Sequence, residues 1–243
     1  MIYTREHIVK SMPFLQKKSQ SIAQADLYLV NIGGECLIFK DFSGRFLPAR
    51  CLIGRVAISR EVRAYRHLEG IPGIPRFICQ PDSDSFLMEY IEGQSLACYK
   101  KKTPPTPAVF TALSELVERM HQRGVAHGDL HKRNILVSST DIPYILDFAT
   151  SLCITEKTGW LKKALFRKMC RIDRLAILKI KVRFFPHLLT AEEKCAIERL
   201  PWYMTIGRFL RKKIYRPFIK AKYWHRRWHK MRSYIAPSHN NDD

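Results

Sequence analysis

Three polar residues in fixed order limit what this chain can fold into. Asn134 follows Asp129 by five residues, and Asp147 follows Asn134 by thirteen. The first two lie in His127-Gly128-Asp129-Leu130-His131-Lys132-Arg133-Asn134, the third in Leu146-Asp147-Phe148-Ala149. An apolar run, Ile135-Leu136-Val137, follows the asparagine, and a second, Tyr144-Ile145-Leu146, leads into Asp147. The pattern predicts a loop, a strand, a turn at Asp141-Ile142-Pro143 and a second strand ending in a carboxylate. Such a hairpin brings Asp129, Asn134 and Asp147 to one end. Two carboxylates and an amide oxygen are hard ligands, suited to Mg²⁺ carrying a polyphosphate.

Two further residues stand upstream. Lys40 ends Cys36-Leu37-Ile38-Phe39, the pattern of a buried strand. Glu61 lies in Ser59-Arg60-Glu61-Val62-Arg63-Ala64-Tyr65-Arg66-His67-Leu68, where Val62, Tyr65 and Leu68 recur at helical spacing and Gly70 is a plausible stop. Taken singly, a lysine at a strand end is an ordinary solvated edge and a glutamate on a helix faces water. Their order before Asp129, Asn134 and Asp147 gives them weight; Glu69 is the rival of Glu61.

The five residues together resemble the protein-kinase-like superfamily, whose members carry H-x-D-x-x-x-x-N followed by D-F-G. The H-G-D-L-H form is most similar to small atypical kinases: RIO kinases, aminoglycoside and choline kinases, and bacterial lipopolysaccharide-core sugar kinases. The resemblance implies an α+β, two-lobed fold with a strand-rich small lobe, a helix C and a helical large lobe. It implies that Asp129 is the catalytic base, that Asn134 and Asp147 hold Mg²⁺, that Lys40 pairs with ATP phosphates and that Glu61 orients Lys40. In Ser85-Phe86-Leu87-Met88-Glu89-Tyr90-Ile91-Glu92-Gly93 it makes Met88 the gatekeeper, with the backbone of Glu89, Tyr90 and Ile91 bonding the adenine. His127 is expected to brace the catalytic loop, and His131 and Lys132 lie inside that loop.

The departures from the family pattern also carry information. There is no G-x-G-x-x-G; the early pair Gly33-Gly34 sits between apolar runs and predicts a hairpin turn. The stretch from Lys17 to Ala25, where a phosphate-covering loop belongs, holds no glycine. Gly128 replaces the arginine that normally pairs with a phosphorylated loop, which argues against that switch. Ala149 replaces the D-F-G glycine, no A-P-E follows, and the short stretch from Thr150 to Lys163 speaks against an ordinary protein-docking platform.

With 243 residues the chain is long enough to bury about 70% of its unfolded surface. The expected organisation is one kinase-like domain over 1–243: small lobe 1–88, hinge 89–95, large lobe 96–243. Lys100 to Pro107 is expected as a stiff loop before a helix over Phe110–Arg123, and Thr190 as the N-cap of a later helix. The seven cysteines include no C-x-x-C and read as buried, reduced thiols. The first residues do not form a signal peptide and no apolar run reaches the about 18–20 residues that span a bilayer, so a cytoplasmic protein is expected.

The formal net charge is +20, and Arg199 to Asn241 contains no Asp or Glu. Trp224, Trp228, Met231 and Ile235 fall at helical spacing within this basic stretch. That predicts either a membrane-surface helix with an aromatic face, peripheral at the inner face of the cytoplasmic membrane, or a helix packed on the large lobe with a solvated basic side. Nucleic acid is a third partner that charge alone leaves open. The acceptor hydroxyl is expected on a lipopolysaccharide-core-type membrane glycolipid. The alternatives are a RIO-like serine/threonine protein kinase and a nucleotide-binding pseudokinase adaptor.

Overall fold

The computed structural model describes residues 3–11, 14–17 and 25–198. The expected lid stretch, apart from its ends, and the basic segment 199–243 lie outside the described residues. The chain divides into two units, Met1–Thr190 and Ala191–Asp243.

The first unit opens with a short helix, α1 (Arg5–Lys10), followed by β1 (Phe14–Lys17), β2 (Asp26–Ile32) and β3 (Glu35–Asp41). A short helix α2 (Leu47–Ala49) runs through a π-helical turn (Arg50–Gly54) into α3 (Arg55–His67), and β4 (Phe77–Asp82) and β5 (Ser85–Glu89) follow. The five strands form one antiparallel sheet in the order β1-β2-β3-β5-β4. β2 and β3 are joined by Gly33-Gly34, with φ of 63° and 84°, the two positive values a tight hairpin turn demands.

Alternation along the strands assigns the two faces of this sheet. Leu37, Phe39 and Leu87 pack with Val30 and Ile32 against Ile8 of α1, a covering helix that the sequence reading did not anticipate. Ile38, Phe86 and Met88 point the other way, into the core with Val62 and Tyr65 of α3. Lys40 is two residues beyond Ile38, so the pleat turns it toward α3.

α3 buries Ile58, Glu61, Val62 and Tyr65, an i, i+3, i+4, i+7 stripe, and is capped by Leu68, with Gly70 at φ 78°. The helix starts at Arg55, earlier than periodicity alone suggests.

β6 (Gln94–Ser95), α4 (Pro107–Gln122), β7 (Val125–Ala126), a 3₁₀ turn (Lys132–Asn134), β8 (Ile135–Val137), β9 (Pro143–Ile145), β10 (Leu152–Cys153) and α5 (Trp160–Phe184) complete the first unit's main elements. Strand β5 stops at Glu89, and Gln94–Ser95, expected in the hinge, instead pair with β8. Pro107, expected in the loop, is the first helical residue of α4, where its missing N–H costs nothing. Pro143 is tolerated because β9 is the outer strand of the sheet β6-β8-β9. Val109, Phe110, Leu113, Leu116, Val117 and Met120 of α4 pack with Ile177, Ile180 and Phe184 of α5.

The second unit is described only through α6 (Ala191–Glu198). Among the described residues no helix is long and apolar enough to cross a membrane. The cysteines differ from expectation: all seven are free, but only Cys153 and Cys170 are buried, and Cys36 and Cys98 are exposed.

Candidate active site

Three segments distant in sequence meet at Lys40. Its ammonium contacts both Glu61 oxygens, at 2.8 and 2.7 Å, and Asp147 Oδ1 at 3.2 Å. Lys40 is 12% exposed and Glu61 only 1%, whereas Asp147 is 50% exposed. Glu61, not Glu69, therefore faces the lysine. Burial opposes the charge on Lys40, but the Glu61 and Asp147 carboxylates outweigh it and lift its pKa above the usual lysine range. Burial also lifts the Glu61 carboxyl, with Lys40 pulling against it. Lys40 holds Asp147 below the usual carboxylate range, so Asp147 stays ionised.

Asp147 sits at the end of the expected hairpin. β8 and β9 pair Ile135 with Ile145 and Val137 with Pro143, and the Leu146 N–H donates to the Asn134 carbonyl at 2.8 Å. That bond ties Asn134 to the residue before Asp147. Asp147 has φ 68°, a left-handed conformation rare for a residue with a side chain.

The catalytic-loop candidates are held from several sides. Asn134 Nδ2 donates to the Asp129 carbonyl at 3.2 Å. His127 is fully buried. Its Nε2 lies 3.0 Å from the Leu146 carbonyl, and its Nδ1 accepts the Asp129 N–H at 3.3 Å. A carbonyl only accepts, so the ring is an Nε2–H tautomer. It braces the loop against the strand that carries Asp147. Phe148 is fully buried between the His127 ring, 5.0 Å away, and Tyr65 of α3, 5.1 Å away and edge-on. His131 and Lys132 are half-buried in the same loop, and His131 helps keep Asp147 ionised.

A residue that sequence reasoning missed anchors this loop. Asp173 of α5 is fully buried. Its carboxylate accepts the His127 N–H at 2.8 Å and the Gly128 N–H at 2.9 Å, and lies 3.0 Å from His121 Nε2. The available signal was a single acid among apolar and basic residues on the buried stripe Phe166, Cys170, Asp173, Ile177, Ile180. Gly128 has φ 79°, and a Cβ there would lie 2.5 Å from Met169 Cε. The positive φ favours glycine at the place where the arginine would stand.

Met88 is buried on β5, paired with Ile38 and Phe77. The Glu89 N–H donates to the Arg76 carbonyl at 2.9 Å, and the Tyr90 N–H to the Cys36 carbonyl at 3.4 Å. The N–H groups of Glu89 and Tyr90, two of the three residues expected at the adenine, are thus engaged within the fold. The third, the Ile91 N–H, makes no hydrogen bond among the described residues.

The donor set fits a Mg²⁺. Among the described residues no group of three or more His, Cys, Asp or Glu is placed to hold a metal alone. Mg²⁺ bound with a nucleotide needs only one or two protein oxygens besides the phosphates, the number that the half-exposed Asp147 and Asn134 could offer.

A strand lysine paired with a helix glutamate, facing a hairpin that carries a loop aspartate, an asparagine and a strand-end aspartate, defines the protein-kinase-like superfamily. The comparisons agree. A family model described as RIO domain matches residues 49–167, a span holding Glu61, Asp129, Asn134 and Asp147 but not Lys40. The serine/threonine-protein kinase PknH of Mycobacterium bovis is 32% identical over 82 residues, 31% of this chain and 14% of its own length. The protein of that name from Mycobacterium tuberculosis is 32% identical over 82 residues, 31% of this chain and 13% of its own length. The chain thus spans about a seventh of the length of these curated relatives. These likenesses support a member of the protein-kinase-like superfamily. The likenesses support a kinase-type phosphotransferase, a class that uses ATP with a divalent metal.

Proposed function

We propose that this chain transfers the γ-phosphoryl group of Mg-ATP to an alcohol oxygen. The observation that carries the reading is the Lys40 ammonium, held between Glu61 and Asp147 beside a braced Asp129–Asn134 loop. Phosphoryl transfer asks the protein for positioning and charge neutralisation more than for covalent chemistry.

Asp129 orients the acceptor hydroxyl and takes its proton as the oxygen attacks the γ-phosphorus; the bond to the β-phosphate oxygen breaks and ADP leaves. Lys40 leaves Asp147 for the phosphates while Glu61 keeps it in place. Asn134 and Asp147 hold Mg²⁺, which neutralises phosphate charge when bound. Met88 lines the adenine site, and Glu89, Tyr90 and Ile91 form its edge, with the Ile91 N–H as the donor.

A serine or threonine hydroxyl is the acceptor favoured by the likeness to the RIO domain and to serine/threonine kinases. The second reading is a sugar hydroxyl on a lipopolysaccharide-core-type glycolipid. The brevity of the stretch between Phe148 and Trp160, part of it pinned as β10 to β7, favours it. Little chain remains there to dock an extended peptide.

Labelled γ-phosphate supplied with Mg²⁺ to a protein extract and a membrane glycolipid extract, with Asp129→Asn beside the wild type, tests both. Label in protein, lost in the variant, supports the first acceptor; label in glycolipid supports the second. Label in neither pool that depends on Asp129 removes the phosphotransfer reading in favour of a nucleotide-binding adaptor.

A further inference from the structure

The first turns of α5 expose three large apolar side chains where solvent is the ordinary neighbour. Trp160 is 75% exposed, Leu161 67% and Leu165 51%. Around them stand Lys162, Lys163, Arg167, Lys168 and Arg171, with no Asp or Glu between Glu156 and the buried Asp173. None of these five basic side chains forms an ion pair among the described residues; Lys163 donates only to the Glu156 carbonyl. The opposite stripe of the helix, Phe166, Cys170 and Asp173, is buried and Lys162 falls in register with it, so Arg167, Lys168 and Arg171 are the basic residues that share the outward side with the three apolar ones.

We propose that this outward side of α5 docks on an anionic lipid surface. A convex helix face with an exposed tryptophan, two leucines and uncompensated lysines and arginines matches the boundary between headgroups and acyl chains. There indole and leucine enter the apolar layer and the basic side chains meet lipid phosphates. Charge decides between lipid and a neutral partner: each basic residue near an anionic surface strengthens binding about fivefold, and a neutral surface gains none of this. The same helix carries Asp173, thirteen residues or about 20 Å along from Trp160, so docking would set the catalytic loop close to the lipid plane. The proposal is independent of phosphotransfer, since binding is read without nucleotide.

The chain contains four tryptophans, and replacing Trp202, Trp224 and Trp228 with phenylalanine leaves Trp160 as sole reporter in the full-length protein. Mixing with vesicles of phosphatidylcholine and phosphatidylglycerol should shift Trp160 emission to the blue and allow quenching by bromine-labelled acyl chains. Vesicles of phosphatidylcholine alone should do neither. In the otherwise native chain, Trp160→Ser with Leu161→Ser and Leu165→Ser should weaken co-sedimentation with anionic vesicles at least tenfold. Lys168→Glu with Arg171→Glu should weaken it as much without touching the apolar residues. Binding that leaves Trp160 emission unmoved overturns the proposal and assigns attachment to another segment. So does absence of binding, or a Trp160 shift produced by poly-glutamate or RNA but not by vesicles.

Discussion

The Asp173 carboxylate holds the His127 N–H at 2.8 Å, across forty-six residues of chain. It also accepts the Gly128 N–H and faces His121, so three groups of the large lobe's interior depend on one side chain. Its role is positioning: the shape of the loop that presents Asp129 follows from an anion on a different helix.

Asp173→Ala leaves the buried His127 N–H and the half-buried Gly128 N–H without an acceptor and should lower stability by about 3–5 kcal/mol in urea unfolding. Asp173→Asn keeps one acceptor oxygen and should cost roughly 1–3 kcal/mol. In the Asn variant ATP turnover should fall further than nucleotide binding, because the loop and not the adenine site is disturbed.

Lys40 supplies charge where the phosphates sit, and Glu61 supplies its position. Lys40→Met should reduce the rate of phosphoryl transfer by about 10²–10³-fold, the size expected for loss of one electrostatic stabiliser. Glu61→Gln keeps the shape but removes the charge that faces Lys40, and should reduce the rate less than Lys40→Met does. Steady-state turnover with saturating Mg-ATP separates the two.

Gly128→Ala places a methyl group against Met169 at a φ that side chains resist. Destabilisation of about 1–3 kcal/mol is expected from the backbone alone, with further loss where Met169 must move. Thermal unfolding of Gly128→Ala beside Gly44→Ala checks this, because Gly44 has neither a positive φ nor so close a neighbour. Equal losses in the two variants would contradict the steric account.

Arg5 ties α1 to the sheet through Asp41 and Asp82, each at 2.6 Å. Burial pushes the Asp82 carboxyl up, but bonds from Arg5, Ser85 and the Asp84 N–H outweigh it and leave its pKa below the ordinary value. A carboxyl depressed by folding contributes stability that is complete above its unfolded pKa, about 3.9, and is lost as pH falls through the lower folded value. Arg5→Met should therefore cost about 1–3 kcal/mol near neutral pH. The gap to wild type should narrow below about pH 4 as Asp82 protonates. Unfolding midpoints in urea across that range read it out.

Much of the site was legible in one dimension because its motifs are local. Asn134 comes five positions after Asp129, and a hairpin whose register follows from two apolar runs carries the chain to Asp147. The Gly33-Gly34 turn and the buried strand of Lys40 were readable for the same reason: turn chemistry and period-two alternation act over a few residues. Asp173 was not readable, since nothing in its neighbours announces that its partners are backbone groups on another loop. The engagement of the Glu89 and Tyr90 N–H groups was equally invisible, because it depends on how β5 meets β3 and β4.

Residue type and order set the kind of site: which residues carry charge, which are hard oxygen ligands, and in what order they come along the chain. Those are properties of residue type and short-range geometry. Which of those charges find each other depends on the packed fold. Lys40 chose Glu61 over Glu69 because the pleat turned it toward a helix whose buried stripe includes Glu61. Asp147 joined them because Phe148 is wedged between Tyr65 and His127. Burial and long-range packing make those choices, and they exist only once the core has closed.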